Sequence, residues 1–270
     1  MATKIPSFTT TCLYSTEMNG STWYIYLKSS GTFRFDYAKK DVDIFLQGGG
    51  GGGVQVYTDS GNGGGAGGYQ ATVYSQTISS SEQSVTIGAG GAPNTAGEAT
   101  SAFGSTAAGG GTGSGLNGGT AGTGAGGNGG WYWDGNNTGY PGENGANGKL
   151  AFGTGSVYYG AGGGGSPAKF NDVNGAGGNT GGGAGGGGNA TANTGSGGGG
   201  GGGSGGSGIV IIRGTEDDAL PVYFDGTQLQ EIYFNGELLK GLIYGGTRLF
   251  ARVLDWLRVR RIAVPEMLDA

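Results

Sequence analysis

Asp41-Val42-Asp43-Ile44-Phe45-Leu46-Gln47 runs without a break into Gly48-Gly49-Gly50-Gly51-Gly52-Gly53, and this junction decides the fold. The first half reads as a strand. The second half cannot continue it, because glycine is poor in the interior of strands and helices. Working outward, Trp23-Tyr24-Ile25-Tyr26-Leu27-Lys28 is a strand candidate followed by a Ser-Ser-Gly turn. Thr32-Phe33-Arg34-Phe35-Asp36-Tyr37 alternates apolar and polar residues as a half-buried strand should. Val54-Gln55-Val56-Tyr57, Gln70 to Ile78 and Ser84 to Ile87 are further strands. Ile209-Val210-Ile211-Ile212-Arg213 is a β-branched run of the kind found in a central strand buried on both faces.

The economical arrangement is mainly β: a jelly-roll-like sandwich over 1–213 whose last strand returns after a glycine-rich insertion of about 88–208. An insertion of that length needs a structure of its own. The remaining regular option for such a sequence is the left-handed helix with three residues per turn, polyglycine II. It makes no internal hydrogen bonds, but chains packed side by side can satisfy one another where glycine lets backbones approach. In 109–130, one register of three is Gly except at Thr112 and Ala121, and another carries Gly110, Gly113, Gly119 and Gly122. The third carries Ser114, Asn117, Thr120 and Thr123, a polar row suited to the edge of a bundle. Collagen is rejected, since it needs uninterrupted Gly at every third position and abundant Pro, and the chain has only 6 Pro.

Beyond Arg213 the composition changes. Val222-Tyr223-Phe224-Asp225-Gly226-Thr227, Ile232-Tyr233-Phe234-Asn235-Gly236-Glu237 and Leu242-Ile243-Tyr244-Gly245-Gly246-Thr247 repeat an apolar triplet and a hairpin turn signal. Units so short need to stack on one another, on the rest of the chain or across a symmetric oligomer. Leu249, Phe250, Val253, Leu254 and Leu257 form one helical stripe after them, best read as packing on the repeats or a sister subunit. The segment 214–270 is therefore expected to serve attachment and oligomerisation, with a trimer favoured.

The whole-chain composition narrows the function. Of 270 residues 71 are Gly, 10% are aromatic and only 12% are charged, which favours a folded chain over a disordered one. There is no His, the usual acid–base group near neutral pH. A single cysteine, Cys12, rules out an internal disulfide and a Cys-based zinc site. The net charge of −5 argues against nucleic acid as a partner. No apolar run is long enough for membrane insertion, and the start lacks a secretory leader. No cofactor and no metal are expected, and the chain is read as a non-enzyme.

Two motif matches carry little. Gly113-Ser114-Gly115-Leu116-Asn117-Gly118 fits a dinucleotide fingerprint literally, but it neither follows a strand nor opens a helix. Asp134 and Glu143 could be posed as a glycosidase pair, although isolated carboxylates in loops are usually just solvated. The better binding candidate is Trp131-Tyr132-Trp133-Asp134-Gly135-Asn136-Asn137 with Tyr140 close behind, since loop aromatics on a rigid scaffold are typical of recognition. Tyr158, Tyr159 and Phe170 are secondary candidates. The alternative for all of them is capping the glycine-rich core.

The strand ending in Gln47 before Gly48–Gly53, the glycine-rich body, and the closing Gly-Ile209-Val210-Ile211-Ile212-Arg213 resemble the glycine-rich domain proteins of tailed bacteriophages. The resemblance covers about 40–213. Packed polyglycine helices are similarly found in tail-fibre adhesins of T-even-type phages, whose loops contact the host. The resemblance implies a virion protein made in the bacterial host cytoplasm. It most readily implies a tail-fibre or tail-tip adhesin touching a host surface glycan or outer protein, attached to other virion proteins through 214–270. A purely structural head or tail component is the alternative, and a polysaccharide depolymerase a further one.

Overall fold

The computed structural model describes residues 5–56, 60–130, 132–133, 138–169, 173–179 and 181–215, with short strands within 222–238. The chain divides into two compact units, Met1–Asp217 and Asp218–Ala270. Among its described residues unit 1 contains the strands β1 (Phe8–Thr10), β2 (Tyr14–Asn19), β3 (Thr22–Leu27), β4 (Gly31–Phe35), β5 (Lys39–Gln47), β6 (Gln70–Ile78), β7 (Gln83–Thr86), β8 (Thr100–Ala102), β9 (Ser105–Ala107), β10 (Tyr132–Trp133), β11 (Thr138–Gly139), β12 (Lys149–Leu150), β13 (Tyr158–Tyr159) and β14 (Ile209–Gly214). Two antiparallel five-stranded sheets, ordered β1-β4-β7-β8-β9 and β2-β3-β14-β5-β6, form the sandwich.

Period-two side-chain alternation explains the packing. In β3, Trp23, Ile25 and Leu27 are fully buried while Thr22, Tyr24 and Tyr26 are only partly so. Together with Val42, Ile44, Leu46, Val210 and Ile212 they meet Phe33, Phe35, Val85, Ala102 and Ala107 of the facing sheet. Phe33 and Phe35 pack edge to face at 4.9 Å, and Trp23 and Phe35 at 5.9 Å. Each such large side chain stabilises by about 1.5–3 kcal/mol on burial. The central strand β14 pairs β3 on one side and β5 on the other, and Ile209 to Ile212 are buried on both faces, as the β-branched run predicts.

The second face of the same sheet is covered by the excursion 149–160. Phe45, Ile209 and Ile211 pack there against Ala151, Phe152 and Tyr159. Arg213 closes this layer: its Cζ stands 4.0 Å over the Phe152 ring, and its Nη2 lies 2.9 Å from Asp43 Oδ2. Both charged side chains are about one-fifth exposed.

The glycines emerge from one end of the sandwich and bond in a fixed rotation. Gly48, Gly51 and Val54 donate to Tyr69, Ala66 and Gly63. Gly49 and Gly52 donate to Glu98 and Thr95, and Gly50 and Gly53 to Gly206 and Gly203. Each neighbour is thus met at every third residue, and partner numbers fall by three as donor numbers rise by three, so these neighbours run antiparallel. The carbonyls are met by other segments: Gly110 on Gly49, Gly91 and Asn94 on Gly50 and Gly53, Gly198 and Gly201 on Gly51 and Val54. Thr112 Oγ1 donates to Gly52, and Gln47 Nε2 to Gly48. Every backbone polar group of Gly48–Gly53 is satisfied, as burial demands. A Cβ at Gly50 would meet the carbonyl oxygen of Ser196, and one at Gly51 that of Gly111, so the close approach requires glycine.

Three expectations change. Residues 54–56 are not a strand: Val54 continues the glycine pattern, Gln55 and Val56 are bonded to Asn94 and Asn62 side chains, and Tyr57 lies outside the described residues. The glycine-rich array starts at Gly48 rather than at 88, and the stretch 88–208 contributes β8 and β9 to the sandwich. The polar row at 109–130 does not lie on one continuous segment, because Ser114 and Asn117 pair with each other and reverse the chain. Ser114, Asn117 and Thr120 are nonetheless exposed.

In unit 2, β15 (Val222–Phe224) pairs β16 (Thr227–Leu229), and β17 (Tyr233–Phe234) pairs β18 (Glu237–Leu238), both antiparallel. The third apolar triplet and the amphipathic stripe lie outside the described residues.

Candidate functional site

The registers of β5 and β14 orient unit 1. Gln47 lies opposite Ile209 and Asp43 opposite Arg213, so Gly48 and Gly208 leave from one end and Gly214 from the other. Phe8 lies opposite Phe35, also at the end remote from the glycines. The chain therefore enters and leaves unit 1 at its base, and the glycine segments project from the opposite end.

At the far end of those segments the turns are tied together by backbone bonds. Val54 N–H donates to Gly63 O at 2.9 Å, Gly61 to Gly130 at 2.7 Å, and Gly130 to Ser166 at 2.8 Å. Ser166 donates to Asn62 at 2.8 Å, Gly129 to Leu116 at 2.7 Å, Ala168 to Tyr140 at 3.1 Å, and Gly142 to Val173 at 3.1 Å. Asparagine amides stand in for peptide groups at this rim, where the neighbouring segment has ended. Asn62 Oδ1 accepts from Val56 N, Asn94 Oδ1 from Gln55 N, and Asn128 Oδ1 from Gly118 N. Asn128 Nδ2 donates to Glu143 Oε2 at 2.7 Å. The described residues Val54 and Gly61, Leu116, Gly130 and Tyr140, and Ala168 and Val173 therefore stand at one tip.

The sequence candidates divide between the tip and the outer face of the sandwich. Tyr132 and Trp133 form β10, paired with β11 so that Tyr132 faces Gly139 and Trp133 faces Thr138; Tyr140 follows directly and is exposed. Trp131 and 134–137 lie outside the described residues, as does Phe170. Tyr158 and Tyr159 form β13 in the layer over the outer face of the sheet, where Gln70 Nε2 donates to Tyr159 O at 3.1 Å beside the start of the glycine segments. Tyr158 is half-buried, whereas Tyr159 is 6% exposed with its ring 5.3 Å from Phe45. Burial pushes the Tyr159 phenol up to about 12, with a smaller contribution from the Glu17 carboxylate. Burial, reinforced by its 2.8 Å hydrogen bond to Glu17 Oε2, raises the Tyr26 phenol on the same face. Tyr159 is thus a packing residue of the layer on the sandwich face, separate from the tip.

Sequence reading passed over Val56, Leu116 and Val173, which are exposed apolar side chains at the tip. For Leu116 and Val173 the signal is an isolated apolar residue directly before an Asn-Gly pair, while Val56 carries no such mark. Among the described residues no group of His, Cys, Asp and Glu stands together as a metal site would require.

Over residues 28–215 the chain matches the family described as a glycine-rich domain. No curated protein and no solved structure matches it.

Proposed function

The chain belongs to the glycine-rich domain family, and from that premise we propose that it is a bacteriophage virion protein, a tail-fibre or tail-tip adhesin that meets its host through the loops at the tip. The observation that carries this reading is the polarity of unit 1. Both chain connections lie at the base of the sandwich, and the turns bearing Tyr132, Trp133 and Tyr140 spring from the opposite end. Such a body displays loops away from whatever holds its ends. We read the glycine segments as packed polyglycine II helices. The three-residue rotation of hydrogen bonds supports this, and at a rise of about 3.1 Å per residue Gly48–Val54 spans about 20 Å.

The ligand class that suits aromatic residues and asparagines of these loops, Tyr140 among them exposed, is a surface glycan, whose apolar ring faces stack on aromatics while hydroxyls take hydrogen bonds. Trp131→Ala combined with Trp133→Ala is expected to abolish adsorption to host cells and to leave the melting temperature unchanged. Full adsorption by the folded double variant would refute the reading, and unfolding would make the rings caps of the array. Unit 2 is assigned to attachment. A chain ending at residue 217 should be missing from purified particles, and its normal incorporation would exclude that role.

A further inference from the structure

We propose that Asn19–Gly20 is the site of spontaneous deamidation in folded unit 1, and that the glycine array shields the other Asn-Gly pairs from the same reaction. The pair is chemically labile because glycine offers no side chain to hinder attack. Its backbone nitrogen, on losing its proton, attacks the Asn Cγ and expels the side-chain nitrogen as ammonia. Water then opens the resulting succinimide to aspartate or isoaspartate. No other reactant is needed.

Unit 1 contains seven such pairs among its described residues, beginning at Asn19, Asn62, Asn117, Asn128, Asn144, Asn147 and Asn174. In six of them the attacking N–H is engaged: Gly63 on Gly115 O, Gly129 on Leu116 O, Gly145 on Ala176 O and Gly175 on Gly165 O, at 2.7–3.0 Å. Gly118 and Gly148 donate to Asn128 Oδ1 and Asn179 Oδ1, each at 2.9 Å. Four of the side chains are held as well. Asn62, Asn144 and Asn147 each accept a backbone N–H through Oδ1, and Asn128 bonds through both Oδ1 and Nδ2. Attack requires breaking these bonds and turning the peptide within an array whose neighbours leave no space.

Asn19–Gly20 differs on each count. Asn19 is exposed and ends β2, and Gly20 begins the turn to Thr22 of β3 at φ +60°. A Cβ at Gly20 would meet nothing within 4 Å, and among the described residues no neighbouring carbonyl engages its N–H. The product adds a negative charge on the strand that carries Glu17, and in the isoaspartate it lengthens the turn backbone by one methylene.

Peptide mapping by mass spectrometry after incubation of the full chain in mildly alkaline buffer tests the proposal, with a sample held unfolded in urea as reference. In the folded chain Asn19 should convert at nearly its unfolded rate, and the six array asparagines about tenfold or more slower than theirs, since each needs a local opening first. In Asn19→Ser the peptides covering 5–215 should remain unchanged over the same period. The proposal falls if any array asparagine converts as fast folded as unfolded, or if Asn19 stays intact only in the folded chain.

Discussion

At the scale of single residues, space and burial give opposite kinds of constraint. A methyl at Gly50 would meet the Ser196 carbonyl, which belongs to a bonded neighbour and cannot retreat alone. At Gly111 the nearest atom is the Ala121 Cβ at 3.1 Å, the end of a side chain beside an exposed segment. Gly50→Ala should therefore destabilise by about 3 kcal/mol or more and Gly111→Ala by about 1 kcal/mol, read from urea midpoints. Equal losses would show that the array adapts freely. The buried phenols make a pH prediction. Tyr159 titrates at about 12 when folded and near 10.0 when unfolded, so between these values the unfolded chain binds fewer protons. Stability is then complete below about pH 10 and falls as pH rises towards 12, a loss that Tyr26 shares in direction. Tyr159→Phe should flatten the alkaline limb of a melting curve series; an unchanged limb would assign the loss elsewhere.

Elements differ in how openly the sequence announces them. β3, β4, β5, β6 and β14 are legible because apolar residues recur at period two or in a β-branched run between turn residues. β2 is nearly all exposed, and β8 and β9 are short and built from Thr, Ser and Ala, so neither pattern nor bulk marks them. Within the glycine tract a reversal leaves almost no trace: Ser114–Asn117 turns the chain back, yet the three-residue count runs through it unbroken. The candidate site was legible in part for the same reason. An aromatic's loop position can be read locally, but the burial of Tyr159 depends on Phe45, more than a hundred residues earlier. β14 supplies the sharpest test among the elements, because it arrives last and its two faces serve two layers. Ile212→Ala, facing the sandwich core, and Ile211→Ala, facing the 149–160 layer, should each cost about 2–5 kcal/mol. Were Ile211→Ala neutral in chemical denaturation, the outer layer would not be part of the folded unit.

For unit 1 taken whole, the question is how a chain with 71 glycines offsets the entropy of ordering them, since glycine loses more backbone freedom than any other residue. Side-chain burial cannot supply this within Gly48–Gly53. The compensation comes from peptide groups that each find a partner in three directions, which only a residue without Cβ permits. The sandwich holds the ends of these segments: Gly48, Tyr69, Ala108 and Gly208 adjoin strands β5, β6, β9 and β14, and Gly88 follows β7 after one residue. Ordering of each segment thus rests on the strands that launch it and on its neighbours, making the array and the sandwich one cooperative body. Native-state hydrogen exchange tests this directly. The amides of Gly48 to Gly53 should all exchange as slowly as those of Val210 to Ile212, without the alternation of an edge strand, and both groups should open with the same free energy in urea. Exchange of the glycine amides at the rate of an unstructured peptide, with β14 still protected, would mean that the sandwich folds alone and the array is only loosely tethered to it.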